Sequence, residues 1–387
     1  MTSGRDATII FTVENGKAVL VKTLNHELLH DKEYKTMAEH RLGIIGYGGM
    51  AGWHHGHINE FINGLKVVAA YDVDPAALER ARKNGLITYE DAESFLASHE
   101  FDMVLVATPN NFHCDYVCRA LRAGYHVVCE KPVALTSEEL ALMDATAKEC
   151  GKVFTVHQNR RWDEDYCIVK KAIEDGLVGK PFTVESRVHG QGGVVHGWRE
   201  FKVAGGGMVY DWGVHLIDQI LDMYREKVVS VSAHLHSVRT PEVDDYFKLL
   251  LRFESGVSAQ IEVGTFNLIQ GPRWYVCGDG GALIVEDWEC HGRIIHASER
   301  ALAWEPVVIQ TKAGPTRTMA PRPKETLEEI PLPKVDVSWA DYYHNVMDAI
   351  DGKAELIVNI PGVARVLKVI EAAFESSEKG IDVRVDL

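Results

Sequence analysis

The sequence predicts an α/β protein: an N-terminal doubly wound parallel sheet, then an α+β domain with a large, mostly antiparallel open sheet. Three observations predict it. The apolar run Leu42 to Ile45 breaks at glycines just where a helix should begin. From Arg41 to about Val156, short apolar runs alternate with helix-length stretches, as a parallel sheet covered on both faces requires. Beyond Val156 the pattern changes to two-residue alternation punctuated by glycine-rich turns, which suits antiparallel strands.

A length of 387 residues suggests about two domains, each able to bury its own core. The 46% apolar and 25% charged content is ordinary for a water-soluble globular chain. A formal net charge of −15 argues against nucleic acid or an anionic membrane as the main partner and leaves a small neutral substrate open. The seven cysteines form no Cys-x-x-Cys pair, which fits a reducing compartment; Cys114 and Cys118 read as small buried hydrophobes. No apolar run approaches the ~20 residues of a membrane span, and the N-terminus has no basic segment leading into an apolar one. The expected location is the cytoplasm.

Residues 1–40 form an extension before the parallel sheet. Asn15-Gly16 lies between the β-prone runs 8–13 and 17–22, a strong hairpin signal. A lone hairpin is marginal in water, so it is expected to pack on a neighbouring subunit or the back of a domain. Residues 41–156 are the expected nucleotide-binding domain, with strands near 42–45, 67–71, 87–89, 103–107, 126–129 and 154–156. Helices are expected at 75–84, 91–98, 111–123 and 137–150, the last opened by the capping box Thr136-Ser-Glu-Glu139. Residues 157–387 are the expected substrate and assembly domain, with a helix at 163–175 and strands at 182–188, 228–238 and 247–253. Turns are expected at 254–256 and 278–281, a surface loop over 311–336, and helices at 339–350 and 361–377. No internal repeat or low-complexity tract is present.

The turn Gly46-Tyr-Gly48-Gly49-Met50-Ala51 follows the first strand of this sheet. Gly46 lets the chain turn sharply, and Gly48 omits a Cβ that would meet a pyrophosphate at the helix N-terminus. Gly46, Gly48, Gly49 and Met50 are therefore candidate cofactor contacts. Asp72 ends the next strand, where an acid accepts both ribose hydroxyls of NAD and repels the extra phosphate of NADP. Two further strand ends carry Thr108-Pro-Asn110 with His113 nearby, and Glu130-Lys131-Pro132. Each alone reads as a turn or a surface pair, but on one rim they become cofactor candidates. There the Lys131 ammonium would point toward the nicotinamide end and bond a substrate hydroxyl.

In the second half, Gly205-Gly-Gly207-Met-Val-Tyr-Asp211-Trp-Gly213-Val-His215 is followed by Asp218 and Asp222. If the segment is helical from about Met208, residues 211, 215, 218 and 222 share one face. That face is either a solvated stripe or an imidazole base oriented by a carboxylate. Metal ligation by Asp211 and His215 has no third ligand in the sequence, and His54, His55 and His57 read as a helix start, so no metal is expected. The segment His157-Gln-Asn159-Arg160-Arg161-Trp162, with Trp198 and Arg199, is read as lining the same cleft, with Arg160, Trp198 and Arg199 among the candidate substrate contacts.

Taken in order, these motifs resemble the glucose-fructose oxidoreductase and inositol dehydrogenase (Gfo/Idh/MocA) family, from about Arg41 to the end. The segment Asn159-Arg-Arg-Trp-Asp163 is similar to its scyllo-inositol dehydrogenase branch. The first 40 residues depart from typical members, and Asp72 points away from the NADP preference found in parts of that branch. The resemblance implies a Rossmann domain and NAD-dependent oxidation of a secondary ring hydroxyl of a sugar, glycoside or cyclitol. In that picture Lys131 binds and polarises the hydroxyl, His215 takes its proton, Asp211 positions the site, and hydride passes to nicotinamide C4. Whether Lys131 or His215 is the base stays open, and a dimer or tetramer built on the open sheet face is implied. Rival readings are a redox-neutral NAD-dependent glycosidase, an enzyme that stops at the keto-glycoside, and a non-catalytic NAD-binding sensor or scaffold. Retention of Lys131, Asp211 and His215 together speaks against the last.

Overall fold

The computed structural model describes residues 39–193, 195–297, 305, 307–317 and 323–387 in full, and 6–14 and 17–26 by backbone. The chain divides into Met1–Glu39 and His40–Leu387. In the first unit, β1 (Asp6–Glu14) and β2 (Lys17–His26) pair antiparallel with a register shift between Ile10 and Phe11. This is the expected hairpin; its turn, Asn15-Gly16, lies outside the described residues.

The second unit opens with six strands, β3 (His40–Ile45), β4 (Leu65–Tyr71), β5 (Ile87–Tyr89), β6 (Met103–Val106), β7 (His126–Cys129) and β8 (Phe154–Val156). All pair in parallel, in the order β5-β4-β3-β6-β7-β8. β3 and β6 are buried along nearly their whole length, which explains apolar runs without alternation. Helices α1 (Gly49–Phe61), α2 (Pro75–Lys83), α3 (Ala92–Ala97), α4 (His113–Arg122) and α5 (Ser137–Cys150) make the crossovers. Strand order reverses between β3 and β6, so their carboxyl ends part into a crevice, the place where such sheets bind ligands.

The second sheet has nine strands: β9 (Pro181–His189), β10 (Val228–His236), β11 (Tyr246–Phe253), β12 (Ser258–Gly264), β13 (Trp274–Gly278), β14 (Gly281–Val285), β15 (Gly292–Ala297), β18 (Leu327–Ile330) and β19 (Val383–Arg384). Only the β9–β12 pair is parallel. One face packs on α6 (Glu164–Glu174), α7 (Val214–Met223) and α9 (Ile360–Lys379); α8 (Ala340–Ile350) precedes α9. On β11, Phe247, Leu249, Leu251 and Phe253 are buried toward the helices, while Lys248 and Arg252 are exposed on the other face. Each such fully buried side chain contributes about 1.5–3 kcal/mol over an exposed one.

Two expectations need correction. The stretch 311–336 is not simply a loop: β16 (Val308–Thr311) and β17 (Gly314–Arg317) form a small hairpin, and β18 extends the large sheet by pairing with β15. The helix expected from Met208 is not one continuous α-helix either, because Val209–Gly213 is a π-helical turn that passes into α7. Among the described residues, no helix is long and apolar enough to cross a membrane.

Candidate active site

The crevice begins at the β3–α1 turn. Gly46 has φ +87°, and a Cβ there would lie 2.8 Å from the Ala107 carbonyl oxygen, so glycine is what lets β3 and β6 meet at their ends. Helix α1 has no side-chain cap and no acid in its first turn. By contrast Asp74, Asp91, Thr136 and Asn359 cap α2, α3, α5 and α9. Around Gly48 and Gly49 the space a Cβ would enter is open, and Met50 beside them is exposed. The unsatisfied N–H groups and open approach suit a phosphate. At the end of β6 the Thr108 hydroxyl is buried with no hydrogen-bond partner among the described residues, which leaves it open to a polar ligand group.

Asp72 faces this turn. One of its oxygens accepts from Tyr47 N at 2.6 Å and the other from Asp74 N at 2.8 Å, which fixes the carboxylate beside the glycines. These residues fit a dinucleotide: uncapped N–H groups for the pyrophosphate and an acid for the ribose.

The second part of the site joins both sheets. At the end of β7, adjacent residues point to opposite sides. Glu130 turns inward and Lys131 outward. The Lys131 ammonium donates to Asp211 Oδ1 at 2.9 Å and to the Asp211 carbonyl at 3.0 Å, while Arg199 Nε reaches the same carboxylate oxygen at 3.2 Å. Burial would raise the Asp211 carboxyl, but Lys131 and Arg199 hold it below its usual range. The His215 ring, buried one turn after Asp211, donates from Nδ1 to Gln158 Oε1 at 3.2 Å. Burial, reinforced by the charges of Lys131 and Arg160, keeps this imidazole well below its usual pKa. A neutral ring that donates from Nδ1 carries its lone pair on Nε2.

The glycine triplet makes this approach possible. A Cβ on Gly205 would lie 2.3 Å from Leu135 Cδ2, one on Gly206 2.2 Å from the Arg199 carbonyl oxygen, and one on Gly207 2.3 Å from Asp244 Oδ1. Asn110 Nδ2 donates to the Gly205 carbonyl at 2.8 Å, tying the rim of the parallel sheet to this segment.

Several candidates serve as supports. Asn110 is buried in that tie. His113 is fully buried, with Nδ1 2.8 Å from the Pro132 carbonyl and Nε2 2.9 Å from that of Thr108, so it braces two strand ends and does not face the crevice. Glu130 is correspondingly hidden. Its Oε1 accepts from His54 Nε2 at 2.7 Å and from His157 Nδ1 at 3.0 Å, and its Oε2 accepts from Lys131 N at 3.0 Å. Tyr343 OH lies 2.8 Å from His54 Nδ1. Burial would raise Glu130, yet the two imidazoles hold it well below its usual range, while burial and His54 push His157 down to about 4. The donor atoms of His54, Glu130 and His157 lie within 4.8 Å of one another, near enough for metal ligands; the hydrogen bonds among them account for that closeness.

Asp218 and Asp222 do not share the face of Asp211 toward the cleft. Both bind Arg161, Asp218 through two contacts of 2.7 Å and Asp222 at 3.2 Å, in a buried pairing that locks 159–162 onto α7. Arg160 instead lies over Trp212, 4.3 Å from its centroid, and Arg199 lies 4.4 Å from that of Trp198. The Lys131–Asp211 pair is thus flanked by two guanidinium–indole pairs. Trp212 and Trp288 belong to the site by geometry but were not singled out from the sequence; an indole immediately after Asp211 was the available signal for one of them.

Comparison with known proteins agrees with this layout. A model described as the GFO/IDH/MocA oxidoreductase family, NAD-binding Rossmann fold, matches residues 40–158, and the GFO/IDH/MocA C-terminal domain matches 166–284. A solved NAD-binding protein from Listeria innocua is 44% identical, with a TM-score of 0.84 over 90% of this chain and 100% of that one. The scyllo-inositol 2-dehydrogenase (NADP(+)) of Bacillus subtilis is 27% identical over 342 residues, 88% of this chain and 94% of its own. The D-glucoside 3-dehydrogenase of Escherichia coli is 31% identical over 209 residues, 52% of this chain and 59% of its own.

Proposed function

We propose that this chain, which belongs to the Gfo/Idh/MocA family of NAD(P)-dependent oxidoreductases, oxidises a secondary ring hydroxyl of a sugar, glycoside or cyclitol to a ketone, with NAD as hydride acceptor. The observation that carries this reading is the Lys131 ammonium held 2.9 Å from Asp211 at the rim of the parallel sheet, with neutral His215 one turn beyond. Lys131 donates to the reacting oxygen and stabilises the charge that grows on it as the O–H proton leaves. His215 Nε2 accepts that proton, Gln158 fixing the tautomer from the other side of the ring. Asp211 and Arg199 hold the ammonium in place. The dinucleotide supplies the hydride acceptor; Gly46, Gly48, Gly49, Met50, Asp72 and Thr108 form its cradle, with Asn110, His113 and Glu130 bracing it.

The inositol and glucoside dehydrogenases among the relatives support the substrate class. The choice of NAD rests on Asp72, although the Bacillus relative is named for NADP(+). A homo-oligomer on the open face of the nine-stranded sheet belongs to the same reading.

The test is NADH absorbance after stoichiometric enzyme and NAD meet inositols, hexoses, and O- and C-glycosides separately, with products weighed by mass spectrometry. Expected is NADH with a product lighter by two hydrogens; aglycone release without NADH would replace this reading with the redox-neutral glycosidase. Lys131→Ala and His215→Ala should each lower turnover by about two orders of magnitude or more while NADH still binds. Near-normal turnover in both would sink the assignment of roles.

A further inference from the structure

The hydride-transfer reading uses Lys131, Asp211 and His215 but leaves unexplained the indole of Trp288 at the outer end of the same cleft. Trp288 sits in the short connection between β14 and β15. Glu286 N donates to the His291 carbonyl at 2.7 Å across its base, and the Asp287 carboxylate accepts from His291 N at 3.0 Å and Nδ1 at 2.7 Å. The connection is therefore tied down, yet it leaves Trp288 48% exposed. A large indole held open in this way forgoes the burial that stabilises the same side chain in a core.

What lies around the ring gives it a direction. The Arg273 guanidinium, only 4% exposed, sits 4.3 Å from the Trp288 centroid; it is anchored by Asp165 Oδ2 at 2.7 Å and the Arg187 carbonyl at 2.5 Å. Beside Trp288 stands Trp212, its centroid 5.8 Å away, and the Trp212 ring is 6.1 Å from the His215 imidazole. Arg160 spans the two indoles, 4.3 Å from one and 5.8 Å from the other. His215, Trp212 and Trp288 thus form a continuous strip from the proton-accepting centre out to solvent, with a guanidinium along its edge.

We propose that Trp212 and Trp288 form an outer subsite that stacks a second ring of the substrate, so that the enzyme prefers glycosides with a cyclic aglycone, aromatic or pyranosyl, to free hexoses and inositols. Indole faces bind flat aromatic rings and the C–H faces of pyranoses, and Arg160 offers donors to hydroxyls at their rim. Trp288 lies beyond Trp212 as seen from His215, so the group that would meet it is a second ring, carried on the glycosidic oxygen of one seated at the Lys131–Asp211 pair. The subsite rests on the dehydrogenase reading for the seat of the inner ring.

Calorimetric titration of the full chain saturated with NADH tests it, using phenyl and methyl glucosides of each anomer, cellobiose and myo-inositol. Expected is at least one ring-bearing glycoside bound roughly tenfold tighter than its methyl counterpart, an advantage lost in Trp288→Ala and partly kept in Trp288→Phe. Equal affinities in the wild type, or an advantage that survives in Trp288→Ala, overturn the subsite. A Trp288→Ala chain that sediments as a smaller assembly overturns it too, since the indole would then be a subunit contact. NADH formation separates the two readings. Trp288-dependent affinity with no NADH from any glycoside removes the dehydrogenase and leaves the subsite. NADH formed with equal kcat/KM by wild type and Trp288→Ala removes the subsite and leaves the dehydrogenase.

Discussion

At the residue scale, the contrast between Asp72 and Glu130 shows what a strand end does with an acid. The Asp72 side chain stays at the crevice because two backbone N–H groups hold it there. A phosphate on the adenosine ribose would meet that carboxylate at short range. Asp72→Ser should therefore raise kcat/KM with NADP relative to NAD by about tenfold or more, a gain of over ~1.4 kcal/mol in relative transition-state binding. Steady-state kinetics with both cofactors measures it, and an unchanged ratio would reduce Asp72 to a turn-former. Asp72, Lys131, Asp211 and His215 were legible in the sequence because each sits beside glycines or at the end of an apolar run. Their partners were not, since the pairings of Gln158 with His215 and of Tyr343 with His54 join distant stretches and leave no local pattern. Glu130 was read as a rim residue for the same reason. Only the pleat, which sends it to the side opposite Lys131, shows that it faces His54 and His157.

The element that sets the geometry of the proposed active site is the glycine triplet with its π-helical turn. Asp244 anchors the entry, its carbonyl accepting from Met208 N at 2.9 Å and its carboxylate from Val209 N at 2.8 Å. The wide turn was not legible from local pattern, because the residue that pins it belongs to the segment before β11. β18 was hidden differently: Leu327, Glu328 and Glu329 are all exposed, so the strand owes its form to the unpaired edge of β15 and not to an apolar face. Strands and helices with one buried side were, by contrast, readable from period alone. Gly206→Ala tests the triplet. Its Cβ would fall 2.2 Å from the Arg199 carbonyl, forcing apart the backbone that delivers Arg199 to Asp211. The expected cost is about 1–3 kcal/mol in urea unfolding. Turnover should fall at least about tenfold with NADH affinity unchanged. Normal turnover would mean the triplet is only a loop.

For the whole molecule, joining two sheets over one crevice buries imidazoles that are held neutral, and stability then depends on pH. His157 is pushed down to about 4 by burial and by His54, against an ordinary value of 6.5. As pH falls below 6.5 the unfolded chain takes up this proton while the folded chain does not, so stability is lost progressively down to about pH 4. Asp244 acts in the opposite sense, because burial raises its carboxyl to about 6 and the folded chain takes up that proton first. The two overlap, so total stability against pH does not isolate either, but a difference does. His157→Asn keeps a donor near the Nδ1 position and removes the titration. Relative to that variant, the wild type should lose about 2 kcal/mol between pH 7.5 and pH 5 in urea unfolding. A constant difference across that range would mean that His157 takes up its proton at the same pH in the folded and unfolded chains. The cluster around Glu130 would then carry extra positive charge, which would push the His215 imidazole lower still and leave it a weaker acceptor for the proton.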